Sequence, residues 1–420
     1  MNAIILAVDR LHARYLGCYG NTWIATPEFN RLAAESFLFE QALIDTPHLA
    51  EIYDSFWLGS HVLERRGSRA SAGPSLAELL GQAGVATTLI SDEPEISRHA
   101  LAGQFGEVIR LDEAEQAGAV PASCAADAAE TRLAGFFAVA SDWLASAREP
   151  FCLWLHAQSL GAVWDAPLEF RRQYADEDEP APPDFASVPS RELPADFDPD
   201  ELLGICQAYA GQASVLDSSL GGFLEAVRGS PNAAETLLAV TSTRGFPLGE
   251  HRRIGAANEA LYGELVHAAW LLRLPNATGA MDRSQALVQP PDLFATLVDW
   301  WGIARPAPPA FGQSLLPLVR GERETLRDRA CLARGDGQRA IRTPAWYLRL
   351  PAPTADAAQP PRAELFAKPD DRWEVNDVAD RCAETAEALQ LALADFESAA
   401  QAGAIDQLAP LEESLVDEFR

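Results

Sequence analysis

Short apolar runs separated by longer amphipathic stretches set the rhythm of the 420-residue chain. Residues 3–8 (Ala-Ile-Ile-Leu-Ala-Val) are apolar at every position, β-branched at Ile4, Ile5 and Val8, and closed by Asp9 and Arg10. An unbroken run of this length predicts a strand buried on both faces, as at the centre of a parallel sheet. Further short runs predict strands at 37–42 and 85–90, and buried strands at 151–156 and 236–241. Between them, Thr26-Pro27 opens a predicted helix to Glu35, and residues 76–83 predict a helix stopped by Gly84. An Ala-rich stretch predicts a long helix over 125–148. Helical spacing over 202–227 puts Ile205, Tyr209, Ala213, Leu216 and Leu220 on one face.

Strands alternating with helices over some 300 residues predict an α/β fold with a doubly wound, mostly parallel sheet. Residues 173–201 interrupt it with Asp176-Glu177-Asp178-Glu179, Pro180, Pro182 and Pro183, an acidic, Pro-rich surface excursion. From about Arg320 the texture turns Arg- and Pro-rich. Candidate hairpin strands at 340–342 and 346–350 and an amphipathic helix at 383–396 predict a small α+β carboxyl-terminal subdomain. The expected division is therefore 1–320 and 321–420. Trp57, Trp164, Trp270 and Trp300-Trp301 are candidates for an interface or for the core.

Charge narrows the partners. With 61 acidic against 33 basic residues the formal charge is −28, which argues against nucleic acid and anionic membrane surfaces. The six cysteines show no CxxC spacing, so no zinc site or disulfide framework is expected. No run approaches the roughly 20 apolar residues of a membrane span, and no charged leader precedes the first strand; a cytoplasmic protein is expected. Asp9 stands where open α/β sheets place their ligands, at the carboxyl end of a strand, although a turn cap is the alternative.

Several stretches in order resemble the sulfatase family of the alkaline phosphatase superfamily. They are residues 4–9 with Tyr15-Leu16-Gly17-Cys18-Tyr19-Gly20, then Thr26-Pro27 and Arg31-Leu32-Ala33-Ala34-Glu35, then Thr241-Ser242-Thr243-Arg244-Gly245 with Leu248-Gly249-Glu250-His251. Gly312-Gln313-Ser314-Leu315-Leu316-Pro317-Leu318 and the tail Glu364-Leu365-Phe366 continue the likeness. The resemblance implies ester hydrolysis assisted by one divalent cation, usually calcium. It also implies a cysteine in a Cys-x-Pro-x-Arg motif, converted to formylglycine, as nucleophile.

The chain departs from that pattern at nearly every working position. Asp9 matches the first metal ligand, but Arg10 follows where an acid is usual. The nucleophile slot, preceded by His48, is Leu49; Glu51 replaces the proline and Tyr53 the arginine. The second metal loop has Thr243-Arg244 for its Asp-His or Asp-Asn pair, and Ala256 for a later lysine. A Gly-Lys-Trp-His stretch is replaced by Ser91-Asp92-Glu93-Pro94, and after His156 the second histidine is missing. Calcium wants six to eight oxygens, several of them anionic, and a lone Asp9 does not supply them. Asp9 is therefore expected to accept an internal salt bridge where the metal stood, with Arg10 and Arg244 as partners; the alternative is that both arginines face solvent.

The expected function is a sulfatase-like protein that has lost sulfuric ester hydrolysis, with no cofactor. It would act as a scaffold for a protein partner, or hold a small anion such as sulfate or phosphate on the two guanidinium groups. The competing expectation is a hydrolase of sulfate or phosphate esters with a rewired site, drawing on His48, Asp54, His156, Glu250 and His251, and with calcium as its cation.

Overall fold

β1 (Asn2–Asp9) is buried along its entire length, as its unbroken apolar run requires, and the first of two compact units is arranged on it. The computed structural model describes residues 1–66, 73–111, 121–148, 150–304, 311–353 and 362–417. The first unit comprises Met1–Leu38, Leu80–Glu259 and Ala268–Arg283. After β1 it carries α1 (Pro27–Ala34), β2 (Ala86–Ser91), β3 (Glu107–Arg110), α2 (Arg132–Ser146), β4 (Phe151–Ala157), α3 (Pro199–Gly229), β5 (Thr236–Arg244) and β6 (Trp270–Arg273). The strands lie in the order β6-β5-β1-β4-β2-β3, parallel except β6. Ile4, Ile5, Leu6 and Val8 are 0 % exposed, and each such side chain is stabilising by about 2 kcal/mol relative to exposure.

The helices follow their caps. Asp198 accepts a hydrogen bond from Asp200 N–H and Pro199 opens α3, so the helix starts three residues before the apolar periodicity does. α2 is shorter than expected. A turn capped by Asp127 precedes it, and Thr131 restarts the chain as N-cap by accepting from Ala134 N–H. At α1 the Thr26 hydroxyl does not cap; it accepts from Gly17 N–H at 2.9 Å, and Asp217 on α3 takes Glu28 and Phe29 N–H instead. The acidic excursion has little regular structure beyond Arg191–Glu192, paired with Arg253–Ile254.

The second unit comprises Phe39–Leu79, Ala260–His267 and Ser284–Arg420. It thus takes in segments well before residue 320, which the sequence assigned to the α/β part. Four antiparallel strands, β7 (Ala330–Ala333), β8 (Arg339–Arg342), β9 (Trp346–Leu350) and β10 (Glu364–Ala367), carry the expected hairpin. α4 (Ala383–Ala402) runs past the expected end at 396 and stops at Gly403, whose φ of 66° suits a residue without Cβ. Trp57, Trp164 and Trp270 are at most 1 % exposed and belong to the core, not to an interface. No helix among the described residues is long and apolar enough to cross a membrane.

Candidate functional site

At the carboxyl end of β1 the register with β5 slips: Val8 faces Ser242, and Asp9 faces Arg244. Two residues of β5, Thr243 and Arg244, therefore meet one carboxylate. Asp9 Oδ1 accepts from Thr243 Oγ1 at 2.7 Å and from Arg244 Nε at 2.8 Å, while Oδ2 accepts from Arg244 Nη2 at 3.0 Å. This is a two-pronged guanidinium–carboxylate pair, the strong form of the interaction. Asp9 is 2 % exposed and the Arg244 side chain 17 %. Burial alone would raise the Asp9 carboxyl; the charge and hydrogen bonds of Arg244, then Arg10 and His156, outweigh it and hold it well below the usual carboxylate range. Burial would lower Arg244, and Asp9 more than reverses that.

Arg10 corrects one expectation. Its charge is felt at Asp9, but its guanidinium is paired with Glu259, Nη2 to Oε1 at 2.6 Å. Arg10 has a φ of 60°, unusual for a residue with a side chain. The turn is clamped by Tyr209 on α3, whose hydroxyl donates to Arg10 O at 3.0 Å and accepts from His12 N–H at 2.9 Å. Gly161 presses on the pair from the loop after β4. A Cβ there would lie 2.9 Å from both Asp9 Oδ2 and Arg10 Cγ. Asp9, Arg10, Arg244 and Glu259 sum to zero charge.

His156 sits on β4, beside Ala7 of β1, and is 0 % exposed. Burial pushes it down to about 4 despite the attraction of Asp9, so it is neutral at physiological pH. His251 lies on the loop after β5 with a φ of 49°. Its neighbour Glu250 is occupied locally, accepting from Leu248 N–H and from the Tyr15 hydroxyl at 3.2 Å, with His12 Nε2 3.8 Å away. Ala256 is exposed.

The nucleophile slot lies in the second unit. Leu49 begins the helix Leu49–Leu58 behind His48 and is 2 % exposed. Glu51 accepts from the Thr46 hydroxyl and from Arg66, both at 2.8 Å. Tyr53 is fully buried with its ring edge-on to Trp57 at 4.7 Å. Asp54 lies 3.7 Å from Arg65. The rewired-hydrolase candidates thus fall in two groups: His156, Glu250 and His251 in the first unit, His48 and Asp54 in the second. Sequence reasoning missed Glu259, Tyr209 and Gly161, which hold Arg10 and Asp9 in place; the one signal was a glycine in the short segment after His156.

These residues do not fit calcium. Both oxygens of Asp9 are engaged, and two guanidinium groups stand where oxygen ligands would be needed. Among the described residues, no three His, Cys, Asp or Glu side chains are gathered as a metal would require.

The Sulfatase family profile matches residues 1–303. Among solved structures the chain is similar to the phosphonate monoester hydrolase of Agrobacterium radiobacter, at 17 % identity over 96 % of each chain and a TM-score of 0.74. It is similar as well to the phosphonate monoester hydrolase of Silicibacter pomeroyi, at 17 % identity over 95 % of each chain and a TM-score of 0.70. A third is a 2-O GAG sulfatase, at 18 % identity over 97 % of this chain and 94 % of that one, with a TM-score of 0.71. No curated protein sequence matches.

Proposed function

The chain belongs to the sulfatase family, and we propose that this member keeps the fold without the hydrolytic centre. One observation carries the reading: the carboxylate that would grip a dication is closed on both oxygens by Arg244 and Thr243. A guanidinium group is a cation that cannot activate water or take an ester oxygen as a metal does, because it offers hydrogen bonds and no open coordination position. Leu49 in the nucleophile slot and a neutral His156 point the same way.

The remaining role is recognition. Arg10 and Arg244 each have a carboxylate partner, so an incoming sulfate would have to displace Glu259 or Asp9. Binding of a partner molecule elsewhere on the scaffold is therefore favoured over capture of an inorganic anion. The test is hydrolysis of an aryl sulfate, an aryl phosphate and an aryl phosphonate monoester by purified protein. No turnover above buffer is expected; turnover abolished by Asp9→Asn would contradict the reading. Millimolar sulfate is expected to leave the melting temperature unchanged.

A further inference from the structure

A second concavity opens at the ends of β2 and β4, in the first unit, and shares no residue with the Asp9–Arg244 pair. Its volume is about 490 Å³, within the range of small-molecule sites. One wall is the face of α2 carrying Leu133, Phe136 and Val139; Pro94, Leu111 and Val163 extend the apolar lining. The polar end is Asp92, just past β2. Its Oδ1 accepts Gln158 N–H at 2.7 Å and its own backbone N–H also reaches the carboxyl, while no side chain donates to it among the described residues. Beside it the Ser159 hydroxyl is buried with no hydrogen-bond partner among the described residues, on a backbone at a φ of 44°. Gln212, by contrast, is spent on Ala166 N–H and Asp165.

A half-buried carboxyl held by backbone N–H groups and by no side chain among the described residues, beside the Ser159 hydroxyl at the end of an apolar trough, calls for a cationic donor. We propose that this pocket binds a small amphiphilic amine, its ammonium or amidinium group on Asp92 and an aromatic or branched body along Leu133, Phe136 and Val139. The opposite sign is disfavoured at this end, since an anion would meet Asp92 and the neighbouring charge of Glu93. Among the described lining residues Arg132 is the one cation, and its charge acts on Asp92. Burial pushes the Asp92 carboxyl up to about 7, against the Gln158 N–H. An arriving cation would favour its ionised form, so amine affinity should rise as the pH climbs through neutrality.

Calorimetry with phenethylamine, 2-phenylethanol and 3-phenylpropanoate tests the proposal, because the three share a body and differ in the head group. Phenethylamine is expected to saturate the protein and to bind at least about tenfold tighter than the alcohol, with the carboxylate weakest. Asp92→Asn keeps the acceptor for Gln158 and should cost about tenfold in amine affinity. Gly135 lies on α2 at the rim, and a Cβ there meets nothing within 4 Å. Gly135→Phe should therefore leave the melting temperature intact and block all binding. Absence of saturation by phenethylamine in a protein that melts cooperatively, equal affinity for the three ligands, or an unaffected Asp92→Asn would each overturn the proposal. None of these outcomes bears on ester hydrolysis.

Discussion

Two aspartates lie at or just past the ends of parallel strands in the same sheet, and they are opposites. Asp9, at the end of β1, has both oxygens answered by Arg244 and Thr243 and is held far below the ordinary carboxylate range. Asp92, just past β2, is held by backbone N–H groups and no guanidinium pairs with it among the described residues; it faces a pocket and is pushed up to about 7. Burial acts on both in the same direction; the guanidinium makes the difference. A strand end in this fold is thus an address, and the neighbours decide whether the carboxylate there is a sealed structural part or a group still open to a ligand.

The sharpest way to break the contrast is to remove the guanidinium. Arg244→Ala leaves a buried, uncompensated Asp9 and should destabilise the protein by roughly 3–5 kcal/mol in urea unfolding. Adding Asp9→Asn should recover much of that loss, because the stranded charge is gone.

Acid comes next in size. His156 is held at about 4, against 6.5 for an ordinary histidine. Between those values the unfolded chain binds the proton that the folded chain refuses, so stability falls as pH drops, by about 3 kcal/mol in all. Asp9, whose folded pKa is lowered, adds a further loss only below about pH 4, as the unfolded and then the folded carboxyl protonates. Urea midpoints at pH 7 and 4.5 should differ less in His156→Gln than in the parent.

Gly161→Ala puts a methyl group 2.9 Å from Asp9 Oδ2 and Arg10 Cγ, and should cost about 2 kcal/mol by the same assay. The smallest effect has the opposite sign. Asp92 is raised in the folded state, so its ionisation works against folding as pH climbs from about 4 to 7. Asp92→Asn should stabilise the protein at pH 8 by about 1 kcal/mol, since solvent entering the pocket screens part of the penalty.

The strand runs were legible because a parallel strand buried on both faces leaves an unbroken apolar record, as residues 3–8 and 151–156 do. The pairing of Asp9 with Arg244 was legible for a different reason: both occupy motif positions whose usual residues are ligands to one ion. Arg10 was assigned the same partner and took Glu259 instead, 249 residues away, where no local pattern marks a contact. The start of α2 was missed by seven residues because Ala-rich sequence is helical in propensity on both sides of Thr131, and only its cap chooses. The state of Asp92 could not be read at all, since it depends on burial beneath a helix 40 residues further along. The membership of segments 39–79 and 260–267 in the later compact unit is illegible for a similar reason: tertiary packing joins them to it, with no local change of composition.

Calorimetric titration of calcium into the purified protein tests most directly whether Arg244 has taken the place of a dication. The account predicts no saturable heat with the parent protein, whose Asp9 is already neutralised. Stoichiometric calcium binding that disappears in Asp9→Asn would contradict it.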